Sequence, residues 1–261
     1  MQDDNLGDWR IQAVSRLLRD VPAHYPGGPS HPAGTPVFQS TVVRDPRGGS
    51  NGFTTPSATA LALNIAMKAS IQANAIRATL AFTDVVGPEG SGWSVSNDQV
   101  PALYDCFEQC LIAATFSFQA IEYYCNHIIA RKLEGKPYPL KRKKGIDTVS
   151  SDEVERIATT EEKTGVILPD LLAIASPKGK QVWGRFVDLK RVRDASVHLK
   201  SVDQYPHRGP TYNIDDASVF AKFLFTDTKE YPKAAIATIR YFYPVGTPPS
   251  WLSEALQFLG S

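Results

Sequence analysis

The chain has 261 residues, 43% hydrophobic and 21% charged, which suits a globular protein able to bury a sizeable core. Its formal net charge of +1 excludes a strong overall pull toward nucleic acid or an acidic membrane surface. Any basic surface has to be local.

The opening MQDDNLGDWR is acidic and polar and has no secretory pattern. Residues 6–21 place Trp9, Ile11, Val14, Leu17 and Leu18 at helical spacing, which predicts a short amphipathic helix. From 22 to 56 Pro and Gly recur, predicting a loop or extended arm with a short strand at 37–43. His24 and His31 lie there without ligand-spaced neighbours and read as surface residues. TTPSATALALNIAMKASIQANAIRATLAFTDVV then predicts a long helix that starts near Pro56 or Ser57 and is broken by the glycines of 87–96.

A second long helix is expected over 100–133, ending before Gly135 and Pro137. Cys106, Cys110 and Cys125 fall within it and read as buried small hydrophobes, in keeping with a reducing cytoplasm. The apolar run at 110–121 is too short to span a bilayer, so no membrane partner is expected. Apolar residues cover most of this helix, which marks it as central. Thr115, Gln119, Glu122 and Asn126 nonetheless form a polar stripe on it. Such a stripe either belongs to an internal hydrogen-bond network or lines a cleft.

The basic connector RKLEGKPYPLKRKKG follows, with Lys141, Arg142, Lys143 and Lys144 as candidate sequence-blind phosphate contacts. Ser150 and Glu153 have capping-box spacing and open a short helix, followed by a Gly-Val turn and another short helix. Further helices are predicted over 183–202, Val219–Phe225, 232–242 and 251–259, with a turn at 205–210. The class is mainly α. Residues 1–99 are expected to form an arm and helices that pack on a core domain spanning 100–261.

RVRDASVHLK, residues 191–200, carries the chemistry. On a helix Asp194 and His198 are stacked neighbours, with Arg193 on their flank and Arg191 returning to the same face. Imidazole exchanges protons near neutral pH, and a guanidinium clamps phosphate and steadies charge that builds on it. Asp194 is placed to orient the imidazole. Metal chemistry would need further ligands, and the sequence holds no ligand cluster, so neither metal nor cofactor is expected.

RDASVH resembles the R-x(4–6)-H signature of the HEPN superfamily, and FSFQAIEYYCNHII is similar to the first core helix of those domains. Together they cover roughly residues 100–225. The resemblance implies a helical bundle that forms a homodimer, with motifs from both copies building one metal-independent endoribonuclease site of the toxin or antiviral-defence type. It assigns catalysis to Arg193 and His198, a polar companion role to Asp194, and support to Glu122 and Asn126, with Arg191 offering an alternative register. RNA is the implied substrate, and an antitoxin or regulatory partner is left open. Lys200 stands where members controlled by a nucleotidyltransferase often have tyrosine, which argues against that control. Two other readings stand beside it: a non-catalytic helical dimerisation or binding module, and a nucleic-acid-binding regulator relying on 131–144.

Overall fold

The computed structural model describes residues 8–11, 13–87, 90–142, 145–199, 218–243 and 249–258. Helices dominate it, and the strands pair only as four small antiparallel hairpins.

The centre is α2 (Val100–Leu133), whose bounds agree with the sequence expectation. Pro101 suits its first turn, where an amide proton would go unused. Glu134 and Gly135, both at positive φ, end it. Helix α1 (Ala58–Thr79) lies along α2 and starts where Ser57 Oγ accepts from the Ala60 amide at 3.2 Å. The facing residues are small: Ala62, Ala69 and Ala73 from α1 share one core cluster with Cys106, Cys110, Ala113 and Ala114 of α2. Small side chains let the two backbones approach closely. All three cysteines are buried and free.

Two expectations fail around these helices. Among the described residues of 6–21 no helix forms, and Ala13–Arg16 (β1) pairs instead with Pro36–Phe38 (β2). The Pro/Gly-rich stretch folds back and offers a strand partner, bridging Val21 to His31 and leaving Leu18 99% exposed. Pairing supplied from a distance overrides the local pattern. The strand expected at 37–43 is present but divides at Gln39 between β2 and β3 (Ser40–Arg44), the latter paired with β4 (Ser50–Thr54). The second failure is the end of α1. It stops at Thr79, and Phe82–Gly87 (β5) forms a hairpin with Gly90–Val95 (β6), as the β-branched Thr83, Val85 and Val86 favour.

The basic connector is a hairpin as well, β7 (Tyr138–Arg142) with β8 (Gly145–Val149). Tyr138 and Leu140 turn into the core while Lys141 faces out, the period-2 alternation of a half-buried strand. The Ser150–Glu153 capping box opens α3 (Ser151–Ile157) as expected. A second box, Thr159 with Glu162, starts α4 (Thr160–Glu162). No turn follows at Gly165-Val166. The chain stays helical through a π-helical segment (Lys163–Ile167) into α5 (Leu168–Leu172). Gly165 is needed there, because a Cβ would lie 2.9 Å from the Trp183 ring and 2.6 Å from Lys178 Cε.

Helix α6 (Gln181–Val197) packs on α2 and on α8 (Glu230–Tyr241), with α7 (Val219–Phe225) and α9 (Ser250–Gln257) completing the bundle. Phe118 and Phe186 stack at 6.0 Å where α2 meets α6. Helix α6 ends at Val197, short of the expected 202, and the turn expected at 205–210 lies outside the described residues. Ser196 Oγ donates to the Val192 carbonyl at 2.8 Å, competing with the backbone ladder in that last turn. Among the described residues, no helix is long and apolar enough to cross a membrane.

Candidate functional site

The expected residues gather at the C-terminal end of α6, in an arrangement different from the one the spacing suggested. Arg193 is half-buried, with its guanidinium 3.9 Å from the centre of the Phe118 ring. Its Nη1 lies 3.0 Å from Asp194 Oδ1, while its Nε is buried without an acceptor among the described residues. Phe118 is itself locked by Phe186, so the guanidinium plane is fixed from below.

Asp194 does not orient the imidazole. Its carboxylate turns back to Lys190 at 3.2 Å and sideways to Arg193, and Lys190 reaches Glu161 of α4 at 3.7 Å. The physical reason is the helix end. His198 caps α6 with φ −118° and ψ 63°, leaving the helical path, and among the described residues no hydrogen bond or ion pair joins its ring to the Asp194 carboxylate. The remaining link is the His198 amide donating to the Asp194 carbonyl at 2.9 Å. The imidazole is exposed and has no hydrogen-bond or ion-pair partner among the described residues. Arg191 is exposed on another face, paired with Asp188 at 3.3 Å.

The polar stripe of α2 meets a residue that the sequence did not single out. Lys163 is fully buried and donates to Asn126 Oδ1 at 2.8 Å and to the Glu155 carbonyl at 2.6 Å. Glu122 stands 4.0 Å from its ammonium. Taking an ammonium out of water costs several kcal/mol, and these acceptors offset that cost. Glu122 and Asn126 therefore belong to an internal network that ties α2 to α3 and the π-helical segment. Neighbouring groups register the low polarity. Burial pushes the Cys125 thiol up to about 12, against the opposing pull of the Thr164 hydroxyl and Lys163. Burial and Asp152 together raise the Glu155 carboxyl. In sequence Lys163 sits within TTEEKTG and looks solvent-facing. The usable signal was the unpaired stripe on α2, which demanded a donor.

A second buried cluster lies at the α1–α2 seam. Arg77 Nη2 donates to the Phe223 carbonyl at 2.7 Å and Thr228 Oγ1 at 2.6 Å, and approaches Cys110 Sγ at 3.6 Å. The Cys106 thiol, the Thr228 hydroxyl and Arg77 pull the Cys110 thiol down, against its burial. The contacts of Arg77 hold the segment after α7 against α1.

Of the basic connector, Lys141 is exposed on β7 beside a cavity of ≈470 Å³ between that hairpin and the α4–α5 segment. Arg142 is on the same strand, and Lys143 and Lys144 lie outside the described residues. Among the described residues, no group of three or more His, Cys, Asp or Glu side chains could hold a metal ion. Compared with family models, curated proteins and solved structures, the chain finds no match. The site is therefore read from its own chemistry.

Proposed function

We propose that the chain is a HEPN-like endoribonuclease of the toxin or defence type, acting as a homodimer with the C-terminal ends of two α6 helices side by side. The supporting observation is the contrast at that end: Arg193 is fixed against Phe118, while the His198 imidazole is exposed and unengaged. In this reading the ribose 2′-hydroxyl attacks the adjacent phosphorus and the bond to the 5′-oxygen breaks. The products are a 2′,3′-cyclic phosphate and a 5′-hydroxyl. One His198 takes the hydroxyl proton and its counterpart in the second copy protonates the leaving oxygen. Arg193 steadies the charge building on the phosphoryl oxygens. Imidazoles move both protons, so the reaction does not require a metal.

A second reading, a non-catalytic dimerisation or binding module, is favoured by one observation. Arg193 is already neutralised by Asp194, and Asp194 by Lys190. One experiment separates the two: incubation with RNA in EDTA, analysis of product ends, and light scattering on the same samples. Cyclic phosphate ends from a dimeric wild type, lost in His198→Ala, support the nuclease. Cleavage undiminished without His198 refutes the His198 site, and none from a well-folded dimer leaves the binding module.

A further inference from the structure

The opposite end of α6 carries a different kind of surface. A pocket of ≈530 Å³ opens between the first turns of α6 and the last turn of α8, lined by Gln181, Arg185, Arg240, Tyr241 and Tyr243 among others. Among the described residues, none that lines it carries a carboxylate. Arg185 and Arg240 are both exposed, and neither has an ion-pair or hydrogen-bond partner among the described residues. The contrast within α6 is informative, because Arg191 and Arg193 further along each hold a carboxylate. Arg185 also borders a neighbouring pocket lined by Asp188 and Glu230, but among the described residues it forms no ion pair with either, so two guanidiniums face this cavity and a bound anion would relieve their repulsion.

The walls are built rather than loose. Tyr241 Oη donates to the Ala175 carbonyl at 2.9 Å, and Lys180 donates to Tyr241 Oη at 2.7 Å while lying 4.8 Å from the ring centre. Tyr243 packs 5.6 Å from the Tyr124 ring. Burial raises the Tyr243 hydroxyl, against the opposing effects of its hydrogen bond with Tyr124 and the charge of Arg131. The first turn of α6 has no acidic residue and no side-chain cap, which adds to the positive field.

We infer that this pocket binds a nucleoside phosphate, with Arg185 and Arg240 clamping the phosphate and the Tyr241–Tyr243 wall and Gln181 receiving the nucleoside. Guanidiniums match phosphate oxygens in bidentate geometry. Phenol rings accept a base or ribose without sequence preference. The volume falls within the roughly 300–1,000 Å³ typical of small-ligand sites. A free nucleotide and a single RNA strand offer the same chemistry. At about 1.5 Å per residue, Arg185 lies about 20 Å along α6 from His198. The pocket is thus separate from the proposed cleavage end, and its occupancy requires no cleavage.

The test uses the full chain and two probes, AMP by calorimetry and a fluorescein-labelled oligouridylate by anisotropy, in the presence of EDTA. The variants are Arg185→Gln, Arg240→Gln and the double substitution, with Arg156→Gln on α3 as an equal charge change elsewhere. Each pocket substitution should weaken binding by about tenfold or more, as expected for a lost charge-assisted hydrogen bond. The slope of log affinity against log salt should fall by about 0.7 for each strand phosphate released. Comparable affinity for both probes identifies a free-nucleotide site, and binding of the oligonucleotide alone identifies a strand site. The proposal is overturned if the wild type binds neither probe, if the double variant binds as the wild type does, or if Arg156→Gln is equally damaging. A chain that binds through these arginines and never cuts RNA refutes the nuclease and leaves the pocket standing.

Discussion

Replacing Arg193 and His198 by alanine should affect stability very differently, although both are assigned to one site. The Arg193 guanidinium sits 3.9 Å above the Phe118 ring, a partly desolvated contact that contributes about 0.5–2 kcal/mol. Its pair with Asp194 involves side chains 26% and 39% exposed, so screening limits it to at most about 1 kcal/mol. The aliphatic stem adds packing of order 1 kcal/mol. Truncation also removes an Nε buried without an acceptor, and so returns about 1 kcal/mol. The net expectation is a loss of about 1–2 kcal/mol for Arg193→Ala, or a few degrees in melting temperature for a chain of this size. His198→Ala removes an exposed, unpartnered ring and should stay within about 0.5 kcal/mol of wild type. Urea unfolding followed by tryptophan fluorescence reads both variants. Arg193→Ala as stable as wild type would show that the stack contributes nothing. A loss above about 1 kcal/mol in His198→Ala would give the imidazole a packing role and remove it from the candidate site. In activity assays His198→Ala is then the clean probe, and Arg193→Ala has to be assayed well below its melting point.

Lys163→Ala should be the most damaging single change in the π-helical segment, costing about 2–4 kcal/mol in urea unfolding, because it leaves the Asn126 and Glu155 acceptors without their buried donor while also removing the cost of burying the ammonium. Gly165→Ala should destabilise by about 1–3 kcal/mol through overpacking against Trp183, with a change in tryptophan emission as the ring shifts. Burial alone would raise the Asp227 carboxyl, yet the Asn74 side chain and the Lys229 amide and charge hold it below its ordinary 3.8. A depressed carboxyl adds stability that is present above 3.8 and is lost as pH falls through its lower folded value. Asp227→Asn should therefore flatten part of the acid limb in pH-dependent melting and leave the neutral range parallel to wild type.

What the sequence made legible was local. Val100–Leu133 announced itself through its apolar circumference and its glycine stop, and Ser150 with Glu153 through a spacing that satisfies helix amides within one turn. What stayed hidden depended on partners far along the chain. Residues 13–16 and 82–87 carry apolar spacing that a helix could use, but strand partners supplied by 36–38 and 90–95 decide their state. The polar stripe on α2 was visible, while its donor was not, because only the π-helical segment carries Lys163 inward. The candidate pair at 193–198 was read on the premise of an unbroken helix, whereas α6 ends at Val197 and the Asp194 carboxylate turns to Lys190 and Arg193.

The charge pattern of α6 bears on where an RNA strand would first be held. At its C-terminal end the cations are already matched, Arg193 by Asp194 and Lys190 by both Asp194 and Glu161. A phosphate arriving there has to displace a carboxylate or repel it, which costs much of what the guanidinium offers. At the N-terminal end Arg185 and Arg240 hold no ion pair among the described residues, although Asp188 and Glu230 line a neighbouring pocket that Arg185 also borders. Capture at the N-terminal pocket would raise the local concentration of the strand about 20 Å away, at the helix end. In the proposed nuclease the matched Arg193 would then act with low ground-state affinity and grip only the more highly charged phosphoryl group of the transition state, the differential binding that catalysis requires. On this argument loss of the pocket arginines should raise KM with kcat nearly unchanged, and loss of His198 should lower kcat with KM nearly unchanged. The reverse split would assign first contact to the His198 end and leave the pocket outside the reaction path.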